Sequence, residues 1–101
     1  MNDFIKLALK GQEFTFTALD FEQLQALEQP FEALKGLDGG GMPTAPQREA
    51  IVEICTASLQ FKHPGVTKEA VAKLLTLANI GPALQAVAGI SGLEKGDAGN
   101  A

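Results

Sequence analysis

The sequence predicts an α+β fold, an N-terminal two-stranded β-hairpin packed on a bundle of about four short helices. Three observations carry this. Apolar residues repeat every second position from residue 4 to residue 17 and at helical spacing afterwards. The helical part is punctuated by Pro30, by a Gly-rich run at 38–43 and by His63-Pro64-Gly65. The 101 residues fit one domain. The expected organisation is a single domain over 1–93 with a flexible glycine-rich loop at 38–43, followed by a disordered tail at 94–101.

In the first run Ile5, Leu7 and Leu9 alternate with Lys6, Ala8 and Lys10, and Phe14 and Phe16 alternate with Glu13, Thr15 and Thr17. A type II′ turn over Gly11-Gln12 sets Leu9 opposite Phe14 and Leu7 opposite Phe16, with Lys10 opposite Glu13 and Lys6 opposite Thr17. A slip by one residue moves every apolar group to the wrong face, so the faces are specified. A lone hairpin is marginal in water, so its apolar face needs a helical partner.

A first helix is expected from about Leu19, capped by Thr17 with Asp20 three residues on. Leu24, Leu27, Phe31 and Leu34 form its stripe. Pro30 lacks an N–H and clashes with the preceding turn, so a kink or break is expected there, with a short second piece ending near Gly36. The next helix has a strong start: Thr44 as cap, Pro46 in the first turn and Gln47 closing a capping box. It should run to about Lys62. Its polar face is Glu49, Glu53, Thr56 and Gln60, and its broad apolar face is Ile51, Val52, Ile54, Cys55, Ser58, Leu59 and Phe61. A face that wide touches more than one neighbour. His63-Pro64-Gly65 ends this helix. Thr67 caps the following one, with Val66 stapled to Val71 and a face of Val71, Leu74, Leu75 and Ala78. Asn79-Ile80-Gly81 breaks it, and Pro82 opens a last helix through Ile90.

Composition excludes several functions. Net charge is −4, with 12 acidic and 8 basic residues and no basic stripe, which argues against nucleic acid as a partner. The lone cysteine, Cys55, forms neither an internal disulfide nor a cysteine metal site, and it lies on an apolar face where a thiol behaves as a small hydrophobe. The lone histidine, His63, reads as an exposed turn residue. It lies eight residues beyond Cys55, roughly 12 Å by helical rise, too far to activate it. Glu49 and Glu53 are one turn apart but opposite the apolar stripe, so they read as solvated. Ser58 and Ser91 lack a nucleophile-elbow context. The glycine run is not followed by Lys-Ser/Thr, so it is not a phosphate loop. The reading is therefore no catalytic residue, no cofactor and no metal.

The stretch from Leu74 to Leu93 carries no charge. Asn79, Gly81, Pro82 and Gln85 interrupt it, so it reads as two short helices and not as a membrane span. The N-terminus lacks the basic start and long apolar run of a signal peptide, and the expected location is the cytoplasm. An uncharged outer face on short helices points to burial or to a partner. Leu77, Ile80, Leu84, Val87 and Ile90 are the candidate partner-binding residues, for self-association or for an amphipathic helix in a groove.

The order of features resembles the small tail assembly chaperones of long-tailed bacteriophages and prophages. The resemblance covers about residues 3–93. It is strongest in HPGVT (63–67), LLTLANIGPALQAV (74–87) and GISGL (89–93). It implies a non-enzymatic protein that binds the aggregation-prone tape measure protein, keeps it soluble and helps recruit tail tube subunits. The family supplies no binding motif that maps onto individual residues here. Two other classes fit the same composition: a helical adaptor or antitoxin-like regulator, and an accessory subunit of an enzyme.

Overall fold

A computed structural model describes residues 4–35 and 42–91. The expected loop at 38–43 falls mostly outside these residues, and the expected tail at 94–101 falls wholly outside them. The element order is β1 (Phe4–Leu9), β2 (Gln12–Thr17), α1 (Phe21–Ala26), α2 (Glu28–Ala33), α3 (Ala45–Gln60), α4 (Lys68–Leu74) and α5 (Ile80–Ile90). This is the α+β architecture the sequence predicts.

The hairpin differs from expectation by two residues. Leu9 pairs with Gln12, Leu7 with Phe14 and Ile5 with Phe16. The turn is Lys10-Gly11, with φ of 52° and 79°. Positive φ at both central residues is the type I′ geometry, whose twist matches that of the flanking strands. Gly11 adopts it without steric cost, and the mild cost falls on Lys10. A shift of two residues changes every pair and leaves every side chain on its face. Leu9, Phe14 and Phe16 are buried as the alternation requires, Leu7 is half-buried, and Ile5, expected on the same inward face, is 40% exposed at the open end of the hairpin.

The first helix starts later than expected. Asp20, not Thr17, is its cap: Asp20 Oδ1 accepts from Gln23 N–H at 2.8 Å, and Gln23 Oε1 accepts from Asp20 N–H at 3.0 Å. Thr17 is needed elsewhere. Its hydroxyl donates to the Ser58 carbonyl at 2.8 Å, and the Ser58 hydroxyl donates to the Thr17 carbonyl at 2.7 Å. The break falls at Leu27, which caps both α1 and α2. Pro30 then sits in the first turn of α2, where a missing N–H costs nothing. Its influence reaches back one turn, so the chain breaks before the proline.

The capping box at α3 is as the sequence reads. Thr44 Oγ1 accepts from Gln47 N–H and Gln47 Oε1 accepts from Thr44 N–H. α3 is the central helix. It packs against α2, α4, α5 and β2, and buries Ile51, Ile54, Cys55, Ser58 and Leu59. Two face assignments are corrected. Thr56 is buried at 4% exposure, its hydroxyl donating to the Val52 carbonyl one turn back at 2.7 Å. Phe61 is 76% exposed, because α3 ends at Gln60 and the core ends with Leu59. The Phe61 ring instead meets the Lys62 ammonium, which lies 5.7 Å from both the Phe61 and the Phe4 ring centres.

A helix leaves its last carbonyls without intrahelical partners. α3 has no glycine cap, and other elements supply the donors. The Gln23 amide donates to the Ala57 carbonyl at 3.3 Å, Thr17 to Ser58, and the His63 N–H to Leu59 at 2.9 Å.

After α4 the chain turns earlier than expected. The helix ends at Leu74, so Ala78 lies outside it and is exposed. Thr76 and Asn79 make a reciprocal pair: Thr76 N–H donates to Asn79 Oδ1 at 2.7 Å, and Asn79 N–H to Thr76 Oγ1 at 3.2 Å. The Asn79 amide also donates to the Leu74 carbonyl at 2.9 Å. This Thr-x-x-Asn pair holds the turn that feeds α5, which begins at Ile80 and not at Pro82. Ser91 closes the structure by accepting from the Leu19 N–H at 2.9 Å.

Phe16 is the largest fully buried side chain. Phe16→Ala should lower the unfolding free energy by about 3–5 kcal/mol in urea denaturation, at an unchanged slope.

Candidate functional site

An apolar groove of ≈ 600 Å³ opens between α3 and α4. Arg48, Glu49, Ile51 and Val52 form the α3 wall, and Lys68, Glu69, Ala72 and Leu75 the α4 wall. Thr76, Leu77 and Ile80 close one end, while Met42 and Pro43 complete the lining. Leu77 and Met42 are 63% and 70% exposed. Val52, Leu75 and Ile80 are half-buried and also pack on the core. The groove is therefore an open edge of the core, with charged residues in its lining.

Local chemistry positions these residues. The Thr44–Gln47 box starts α3 so that Glu49 and Val52 share a face one turn apart. Thr67 starts α4, its hydroxyl accepting from Ala70 N–H at 3.1 Å. The Thr76–Asn79 pair stops α4 and turns Leu77 outward. Lys68 joins the two walls, its ammonium 3.5 Å from a Glu53 carboxylate oxygen. Arg48 donates to the Pro43 carbonyl at 2.9 Å and holds the segment entering α3.

The five candidate residues separate. Leu77 and Ile80 line the groove. Leu84 and Ile90 are half-buried against the core and do not line it. Val87 is 1% exposed and is a core residue, so it offers no binding surface. It faces inward because α5 covers the hairpin and α3 with one face, and Ala83, Ala86 and Val87 fall on that face. The α3 wall was visible only as part of a broad apolar face. The sequence assigns Ile51 and Val52 to that face without saying which neighbour meets them.

The single-residue candidates resolve as follows. Cys55 is fully buried, and burial pushes its thiol up to about 12. His63 is not an exposed turn residue. It is half-buried, its Nε2 accepts from the Thr15 N–H on the outer edge of β2 at 3.0 Å, and its ring meets Phe14 edge-on at 5.3 Å. An accepting Nε2 places the proton of the neutral ring on Nδ1. His63 thus fastens the hairpin to the end of α3. Glu49 is exposed, and Glu53 is partly exposed in its pair with Lys68. Among the described residues no group of three or more His, Cys, Asp or Glu is placed to hold a metal ion. No helix among them is long and apolar enough to cross a membrane. Comparisons with models of protein families, with curated proteins and with solved structures find no match to this chain.

Two measurements check these placements. Thiol reagents should label Cys55 in the native protein only at the rate of unfolding. Because its folded pKa is raised, the stability this group contributes is full below about pH 9 and declines as pH climbs toward 12. Val87→Asp should unfold the domain, whereas Leu77→Asp should move the melting temperature by no more than a few degrees.

Proposed function

We propose that this protein is a non-enzymatic binding protein of the tail assembly chaperone type, and that its groove between α3 and α4 holds apolar segments of the tape measure protein. The observation that carries the site is the groove itself, with exposed Leu77 and Met42 at its margin and Val52, Leu75 and Ile80 in its lining. A chaperone for a long helical protein needs a surface that accepts many apolar segments. An apolar groove does this, because burial is non-directional and a helix offers side chains at i, i+3, i+4 and i+7. Methionine at the margin suits such tolerance, since its unbranched thioether repacks easily.

The resemblance at 63–67, 74–87 and 89–93 supports the same reading. The second of these segments includes Leu75, Thr76, Leu77 and Ile80, all groove residues. The partners are then the tape measure protein and, through it, the tail tube protein, and the compartment is the bacterial host cytoplasm. Neither nucleic acid, membrane nor cofactor has a part in this function.

Co-expression with a tape measure protein encoded in the same genome as this chain tests the proposal. The tape measure protein should become soluble and elute with this chain on size exclusion. Leu77→Asp should abolish the complex while the variant stays folded. A tape measure protein that remains insoluble, with no complex formed, overturns the proposal.

A further inference from the structure

His63 is the only histidine of the chain. Histidines ordinarily titrate at about pH 6.5 and carboxylic acids at about pH 4, so between pH 7 and pH 5.5 His63 is the side chain that changes charge. Its place in the fold gives that change a structural consequence. The His63 N–H donates to the Leu59 carbonyl at 2.9 Å, which fixes the residue at the end of α3. Its ring reaches the hairpin, where Nε2 accepts from the Thr15 N–H at 3.0 Å in a partly buried bond between residues 48 apart in sequence. The Phe14 ring meets the imidazole edge-on at 5.3 Å. The pair beside the turn, Leu9–Gln12, exchanges hydrogen bonds, and such pairs alternate along a hairpin, so Lys6–Thr15 exchanges none. The Thr15 N–H therefore points away from β1, and no strand bond can replace its acceptor on His63. A ring nitrogen accepts only while it carries no proton. In the imidazolium both nitrogens are donors, and Nε2–H then faces Thr15 N–H, donor against donor.

We infer that His63 is a proton-operated clasp on the hairpin: neutral, it fastens the outer edge of β2 to the end of α3, and protonated, it releases that edge. The inference is independent of the groove, since neither His63 nor Thr15 lines it. The folded chain gives up the bond to take the proton, and the unfolded chain gives up nothing. The unfolded chain thus binds more protons in this range, and stability falls as pH falls. The contribution of the clasp is full above about pH 7.5 and is lost progressively below about pH 6.5. The charged residues of the neighbouring elements are Lys62 beside it in the chain, Lys6 opposite Thr15 on β1, and Glu13 two residues before Thr15 on β2. Two of the three are cations. The salt bridges among the described residues are Lys35–Glu32 and Lys68–Glu53, and neither involves His63. Release is local, because Thr17–Ser58 and the buried Leu9, Phe14 and Phe16 still hold the hairpin.

The test follows His63 and Thr15 together by NMR in the intact protein. As pH is lowered from 7 to 5, the Thr15 amide resonance should move with the same midpoint as the His63 ring protons. Its protection against exchange should fall severalfold as the ring is protonated. The melting temperature should drop by about 4 °C between pH 7 and pH 5.5. His63→Gln keeps a carbonyl acceptor and removes the titrating group, so its melting temperature should not change over this window. A flat melting temperature in the unmodified protein, a Thr15 amide that does not follow the ring, or an equal pH dependence in His63→Gln overturns the inference. If His63→Gln does not fold, the coupled titration of Thr15 and His63 in the unmodified protein decides alone.

Discussion

The reciprocal hydrogen bonds between Thr17 and Ser58, at 2.8 and 2.7 Å, tie the end of the hairpin to the last turn of α3. Each hydroxyl donates to the other residue's carbonyl, and both residues are buried. The Ser58 carbonyl is one that the helix cannot satisfy internally, so this single contact also helps cap α3. A hairpin of two six-residue strands does not persist alone in water. Here it is held by the burial of Leu9, Phe14 and Phe16 and located by Thr17–Ser58 and His63–Thr15. Burial supplies most of the free energy and does not specify position. The hydrogen bonds specify position, because leaving any of these buried groups unpaired costs about 1–3 kcal/mol.

With the hairpin and α5 covering one side of α3 and α2 packing on it as well, α4 is left to cover the remainder. It is only seven residues long, and its only buried residue is Val71. A helix of two turns cannot cover a face as broad as that of α3. Half-buried Val52 is left beside the open groove, while Ile51 stays buried at its floor. The groove is thus a consequence of the mismatch in length between α3, with 16 residues, and α4. The Thr76–Asn79 turn maintains this mismatch by ending α4 early.

The same turn divides the described part of the uncharged stretch, 74–91. Its residues serve three purposes that look alike in composition. Val87 and Ala83 are core, Leu84 and Ile90 lie half-buried along its edge, and Leu77 and Ile80 line the groove. Absence of charge is compatible with each.

The sequence by itself determined what depends on neighbours along the chain. The two strands, their inward faces and the capping box at Thr44 follow from periodicity and local hydrogen bonding. So does the burial of Cys55. The register was not legible, because a type I′ turn over Lys10-Gly11 and a type II′ turn over Gly11-Gln12 keep the same faces, and alternation cannot separate them. The Asp20 cap was missed because Thr17 offers the same chemistry three residues earlier. Only the tertiary structure shows that Thr17 is committed to Ser58. The role of His63 likewise needed the free edge of β2 beside it. Of the candidate site, Leu77 and Ile80 were legible as apolar residues without charged neighbours. Val87 could not be separated from them, because periodicity places residues on a face and does not say whether a neighbour covers that face. Only packing decided that α5 turns Val87 inward while short α4 leaves Val52 and Leu75 beside an open groove.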